Sequence, residues 1–218
     1  MAGRERVVSI QLDRICTLET MVEYQLLNPA TGAVCALPEG FAKEHARKQD
    51  IFDYRTFVSF GQVASIGEYK VLRVVDNRSD YRPMQLYKVF TLDGSNHARW
   101  RAKKAPSEIV RLGLFENVGI DGIVYFLSYE PGCIASFDLE AERWRQNLQG
   151  PLNDISWGIL SMATLSGCLV VVHHTHASSM DLWYLMDAEK GLWVKRHSIQ
   201  INDQCARYKV NPLLVTWC

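Results

Sequence analysis

The sequence predicts an all-β fold made of repeated antiparallel sheets, and three observations carry that prediction. First, apolar and polar residues alternate with period two. Tyr87, Val89 and Thr91 interleave with Lys88, Phe90 and Leu92, and Ala135, Phe137 and Leu139 interleave with Ser136, Asp138 and Glu140. This is the pattern of half-buried antiparallel strands. Second, turn pairs punctuate the runs. Asp93-Gly94 closes one, and Asp121-Gly122 precedes the run Ile123 to Leu127, the glycine accepting positive φ at no steric cost. Third, Phe90, Phe137 and Tyr184 recur 47 residues apart, each followed by a turn and then a tryptophan: Trp100, Trp144 and Trp193. A strand–turn–strand unit at this period lies between the WD40 and kelch repeats, so the units read as kelch-like β-propeller blades.

The remaining elements follow in order. Residues 1–25 read as strand–turn–strand, and residues 26–38, LLNPATGAVCALP, as a variant unit with Leu37-Pro38 in place of the tryptophan. Residues 39–50, EGFAKEHARKQD, are too polar to bury a full helical face and predict a short surface helix or loop. Residues 182–186 form another short strand, closed by the turn at 187–191. In such a repeat Trp100, Trp144 and Trp193 are expected to cover the gap between neighbouring sheets, because large aromatic rings contribute most when buried. At about 47 residues per unit, 218 residues supply between four and five units. The propeller is therefore expected to be incomplete unless residues 208–218 pair with the N-terminal strand to close it. We read residues 1–218 as a single domain.

Composition excludes several function classes. Lys plus Arg and Asp plus Glu both count 24, so the chain lacks the basic field that non-specific nucleic-acid binding requires. No apolar run approaches a membrane span or a signal peptide; the longest, residues 168–172, has the length of a buried strand. Cys16, Cys35, Cys133, Cys168, Cys205 and Cys218 form no CxxC pair, and reduced thiols in the cytoplasm or nucleus are expected.

Seven motifs in order resemble one family. Asn28-Pro29-Ala30-Thr31-Gly32 with Leu37-Pro38 is similar to the opening of plant F-box-associated domains. Phe60-Gly61 and then Glu68-Tyr69-Lys70-Val71-Leu72-Arg73-Val74 resemble the next strand pair. Val89-Phe90-Thr91-Leu92 with Trp100-Arg101 follows, then residues 118–127 around Asp121-Gly122. Residues 134–139, including Phe137 and Asp138, with Glu142 and Trp144 come next, then residues 165–169 and Leu182-Trp183. The wording is closest to the grass branch of that family. The resemblance implies an F-box-associated β-propeller, a module that captures the substrate of an SCF-type ubiquitin ligase while a separate F-box docks on the Skp adaptor. That F-box is not legible here. Leu37-Pro38-Glu39 mimics its opening, but mostly charged residues follow, so adaptor binding is assigned to no residue of this chain.

Candidate chemistry is sparse. On a strand, His174 and His176 share a face while His173 faces away; two imidazoles can begin a metal site, but no carboxylate or cysteine stands at a completing spacing. Asp138, Glu140 and Glu142 alternate opposite Phe137 and Leu139, as on a solvated strand face. Arg99, Arg101, Lys103 and Lys104 form a basic run that reads as a solvated face, with docking of an acidic or phosphorylated partner the alternative. There is no GxSxG elbow and no phosphate-binding glycine loop. The sequence therefore predicts a protein-binding module, with no enzyme activity, cofactor, metal, nucleic-acid or membrane partner. Skp adaptor and cullin enter only through an F-box supplied elsewhere. A truncated decoy and a glycan-binding or enzymatic propeller are the rival readings. Partner contacts are expected in rim loops, at residues 76–84, 128–133 and 175–180.

Overall fold

A computed structural model describes residues 6–11, 14–18, 24–38, 42–43, 45, 54–65, 67–77, 84–92, 99–113, 116–152, 160–176 and 179–200. Strands dominate, and β7 and β11 lie on the period-two runs, but residues 86–90 and 134–137 are buried at every position, so these strands are covered on both faces and not half-buried as expected. Among the described residues four sheets are formed, each an antiparallel meander in chain order. The first contains β1 (Arg6–Gln11), β2 (Arg14–Leu18), β3 (Tyr24–Leu27) and β4 (Val34–Ala36). The second contains β5 (Tyr54–Gln62), β6 (Tyr69–Asn77), β7 (Met84–Leu92) and β8 (Arg101–Lys103). The third runs β9 (Asn117–Ile120), β10 (Ile123–Leu127), β11 (Cys133–Asp138) and β12 (Arg143–Trp144), with β13 (Leu148–Gln149) returning to pair with β11. The fourth contains β14 (Leu160–Leu165), β15 (Cys168–His176), β16 (Ser179–Asp187) and β17 (Leu192–Gln200).

The chain groups into two compact units. One comprises Met1–Ala105 with Asp121–Val124 and Asp138–Arg143, and the other comprises Pro106–Ile120, Tyr125–Phe137 and Trp144–Cys218. Of the polar stretch at residues 39–50, only Ala42, Lys43 and His45 are described, and Ala42 and His45 are buried. The Asp93-Gly94 turn and residues 208–218 lie outside the described residues.

The turn chemistry explains the registers. Asp121 and Gly122 have φ of 48° and 76°, and Ser166 and Gly167 have φ of 51° and 74°. Both pairs are two-residue hairpin loops with positive φ at both positions, whose twist matches that of the strands they join. The β3–β4 connection is made by Asn28. Its Oδ1 accepts the N–H groups of Ala30 (3.0 Å) and Thr31 (3.3 Å), while the Gly32 N–H donates to the Asn28 carbonyl at 2.8 Å. An Asn side chain mimicking a backbone acceptor needs Asn or Asp at that place, which is why the motif opens as it does.

In the first unit, alternate side chains of β3, β5, β6 and β7 form one core. Tyr24, Leu26, Leu37, Val58, Phe60, Val71, Phe90 and Trp100 pack together, with Leu92 and Ala102 at the margin. The Tyr24 hydroxyl also donates to the Thr56 carbonyl at 2.5 Å. In the second unit, Val170, Val172, Met180, Leu182 and Tyr184 form one cluster.

Candidate functional site

The motif residues can be placed one by one, beginning with the tryptophans. Phe90 lies in β7, Phe137 in β11 and Tyr184 in β16, each the third strand of its sheet. Trp100 immediately precedes β8, Trp144 lies in β12 and Trp193 in β17, each at the fourth strand. Phe90 meets Trp100 with ring centroids 5.4 Å apart, and Phe137 meets Trp144 edge-on at 5.2 Å. The third repeat departs from this pairing. Tyr184 lies opposite Val194, and Trp193 lies opposite Leu185, so the two rings occupy opposite faces. Register shifts on either side of residues 183–185 accompany this change. Tyr184 packs against His197 instead, and the Trp193 indole donates to the Gln149 carbonyl at 2.8 Å. Trp100 is buried, whereas Trp144 and Trp193 are half-buried.

Trp100 sits beside two cations. The Lys88 ammonium is 5.0 Å and the Arg73 guanidinium 5.7 Å from its ring, and its indole N–H donates to the Pro38 carbonyl at 2.7 Å. Arg73 and Lys88 face each other directly across β6 and β7, and both are buried. Burial, with the Arg73 charge adding to it, pulls the Lys88 pKa down to about 7.

The sequence-based reading of Asp138, Glu140 and Glu142 as one solvated strand face is corrected by the backbone. β11 ends at Asp138, whose carboxylate accepts the Ala141 N–H at 2.8 Å, and Glu142 follows with φ of 51°. This turn swings Glu142 inward. Its carboxylate meets Lys70 at 3.0 Å, Arg101 at 2.6 Å and Lys103 at 2.6 Å, and its side chain is only 16% exposed. Burial alone would raise its pKa, but hydrogen bonds from Arg101, Lys103 and Lys70 outweigh that and hold it at about 2. Lys70 also donates to the Glu140 carbonyl at 3.2 Å, and the Ser65 hydroxyl donates to the Glu140 carboxylate at 2.5 Å. Two members of the basic run, Arg101 and Lys103, thus share one carboxylate with Lys70 and are not a purely solvated face. Arg99 and Lys104 are exposed. Glu142 was legible as a motif residue but its inward position was not, because alternation does not record that the strand ends at Asp138.

Among the described residues no group of three or more His, Cys, Asp or Glu side chains is placed to hold a metal ion. His173 and His174 have pKa values lowered by burial, and a register shift separates His174 from His176. Cys35, Cys133 and Cys168 are free thiols, and burial pushes the Cys133 pKa up, which makes it a weak nucleophile.

Of the three rim loops, only residues 128–133 are described throughout. Ser128 anchors this loop: its N–H donates to the Cys133 carbonyl at 3.0 Å, and its hydroxyl accepts the Glu130 N–H at 3.1 Å. Tyr129 is left 53% exposed at the tip. A cavity of about 390 Å³ lies within the second unit, lined by Tyr125, Ser136, Arg145, Asn147, Glu189 and Lys190 among others. Its wall is fixed by β13, by the Trp193–Gln149 bond and by the Asn147 side chain, which donates to Ser107 Oγ at 3.1 Å. Arg145 is exposed.

Residues 8–218 match the family model described as the F-box associated beta propeller domain. The chain belongs to that family. Its relatives include two Arabidopsis thaliana proteins, "F-box protein At3g57590", 26% identical over 189 residues, and "F-box protein At4g19940", 25% identical over 187 residues. The alignments cover 78% of this chain but only 42% and 43% of those relatives, so the chain spans less than half the length of the proteins it matches. Among solved structures, one titled "KlHsv2 with loop 6CD replaced by a Gly-Ser linker" covers 92% of this chain and 73% of that one, at 12% identity and a TM-score of 0.36, too weak a likeness to bear on the fold.

Proposed function

We propose that this F-box-associated domain captures the protein substrate of an SCF-type ubiquitin ligase and carries out no chemistry of its own. The observation that carries the reading is the family match across residues 8–218. The relatives' names support it, since both are F-box proteins. The cation–carboxylate hub at Glu142 and the tryptophan contacts fit a rigid scaffold that presents loops. A Skp-type adaptor and cullin would be reached through an F-box joined to this domain, and the site of action would be the cytoplasm or nucleus, where free thiols such as Cys35 persist.

The test is reconstitution. Proteins that co-purify with this chain from plant cells are offered to a ligase in which the chain is fused behind a working F-box. At least one captured protein is expected to be ubiquitinated by the fusion and not by the F-box alone, and the unfused chain is expected not to bind purified Skp adaptor. Failure to recover any specific protein, or recovery of proteins that the fusion never modifies, would overturn the reading.

A further inference from the structure

The cavity of the second unit is walled by segments that the chain's own hydrogen bonds hold in place. One wall is β11 and the segment that leaves it and returns as β13. Here the Arg145 N–H donates to the Ser136 carbonyl at 2.9 Å, and the Gln149 side-chain amide donates to the Gly132 carbonyl at 3.0 Å. The Asn147 amide is taken by Ser107 Oγ at 3.1 Å. The other wall is the turn between β16 and β17. Its Asp187 carboxylate accepts the N–H groups of Glu189 (3.0 Å) and Lys190 (3.1 Å) and holds the Lys190 ammonium at 3.0 Å. The Trp193 indole ties this turn's strand to the first wall through the Gln149 carbonyl at 2.8 Å. The enclosed space is about 390 Å³, the scale of sites that take up part of another molecule.

These bonds engage the Asn147 and Gln149 amides and the Lys190 charge, and they leave two charges over. Arg145 lines the cavity from the first wall and Glu189 from the second. Among the described residues, neither the Arg145 guanidinium nor the Glu189 carboxylate enters a hydrogen bond or an ion pair. The cavity therefore carries one unmatched cation and one unmatched anion on separate walls. Such a site is complementary to a ligand that brings both opposite charges, and a ligand with a single sign satisfies only one wall. Arg145, Gln146, Gln149, Glu189 and Lys190 are all exposed, so one side of the cavity opens to solvent. An open side suits side chains that enter from a chain running across the mouth, rather than a small molecule enclosed within.

We propose that this cavity binds a segment of a partner protein that carries an acidic and a basic side chain close together. Arg145 takes the carboxylate, for which its planar guanidinium is the matching donor, and Glu189 takes the cation. The walls stay as they are, because their own hydrogen bonds are already made. This rests on the protein-capture reading above and names the chemistry of the partner.

The test is a nitrogen–proton NMR titration of the full chain with four blocked Gly-Ser peptides. Their centres are Glu-Gly-Lys, Glu-Gly-Gln, Gln-Gly-Lys and Gln-Gly-Gln, a spacing that puts both side chains on one face of an extended chain. The Glu-Gly-Lys probe is expected to move the signals of Ser136, Arg145 and Glu189. It should bind about fivefold more tightly than either singly charged probe, the upper end for partly exposed charge pairs, and added salt should weaken it. Arg145→Gln should erase the gain from the probe's glutamate and keep that from its lysine, and Glu189→Gln should do the converse. Both positions are exposed, so neither change disturbs the core. Equal binding of all four probes, shifts away from the cavity, or variants that fail to separate the two gains would overturn the proposal. So would tighter binding of free glutamine, which assigns the cavity to a small zwitterion. Shifts at the cavity that grow with protein concentration, without any probe, would assign it to a second copy and overturn it too. A cellular protein captured equally well by the wild type and by both variants would sink this site and leave the capture reading standing. Selective probe binding with no captured cellular protein would leave the cavity's chemistry standing and overturn the capture reading.

Discussion

At the scale of single residues, two buried charges make opposite demands on pH. Glu142 is held at about 2 by Arg101, Lys103 and Lys70, below an ordinary carboxylate. A group whose folded pKa is depressed stabilises the fold above its unfolded pKa, and that stabilisation is lost as the pH falls through the folded value. The loss attributable to Glu142 is therefore expected between about pH 4.5 and 2. Glu142→Gln leaves three cations around an uncharged amide, one of them, Lys70, only 10% exposed. We expect it to cost about 2–3 kcal/mol in a urea titration at pH 7 and to flatten the acid limb of the stability curve. Lys88 behaves the other way. Its pKa of about 7 lies below the ordinary 10.5, so the unfolded chain binds more protons between those values. Stability should accordingly rise across that window by about 1 kcal/mol per pH unit. Lys88→Met, which keeps an unbranched stem on Trp100, should abolish the rise and increase stability at pH 7. A titration of the urea midpoint from pH 6 to 10 in both chains checks it, and an unchanged slope in the variant would refute the assignment.

Among the elements, the hairpins show what a sequence can and cannot say. Asp121-Gly122 was legible as a turn because only a residue pair tolerant of positive φ closes a two-residue hairpin with the correct twist, and the observed angles meet that condition. Nothing in the sequence showed that a Cβ on Gly122 would stand 3.2 Å from the Gln62 carbonyl oxygen, whereas one on Gly167 would meet nothing within 4 Å. The two glycines share nearly the same φ, so their alanine variants separate backbone strain from crowding. Gly167→Ala is expected to cost about 1 kcal/mol and Gly122→Ala roughly twice that, measured as shifts in thermal midpoint. The 47-residue spacing was legible for the same kind of reason: Phe90, Phe137 and Tyr184 each fill the third strand of a meander. The side on which the following tryptophan falls was not. Register shifts between Leu182 and Trp183 and between Leu185 and Asp187 lie on either side of the Tyr184–Val194 and Leu185–Trp193 pairs. No residue type there announces a shift. The inward turn of Glu142 was hidden likewise, since a strand's end is set by hydrogen bonds the alternation does not record.

For the whole molecule, chain order and compact units do not coincide. The first unit takes Met1–Ala105 and then recruits Asp121–Val124 and Asp138–Arg143 from further along the chain. The recruited pieces are not decoration. They bring Glu142, the carboxylate that Lys70, Arg101 and Lys103 share, and Glu140, whose carbonyl takes a hydrogen bond from Lys70. A fragment ending at residue 105 would keep all three cations and lose their common anion, leaving Lys70, the most buried of them, without its carboxylate. Leaving a buried charge uncompensated costs several kcal/mol, comparable to the whole stability of a small domain. We therefore expect the fragment 1–105 to show no cooperative urea transition by near-ultraviolet circular dichroism, where the complete chain shows one. Adding Lys70→Met, Arg101→Met and Lys103→Met to the fragment should restore part of the transition, because the charges rather than the missing apolar area are then the cause. A fragment that unfolds cooperatively without those substitutions would show that the Glu142 turn contributes little, and that the first two sheets carry their own stability.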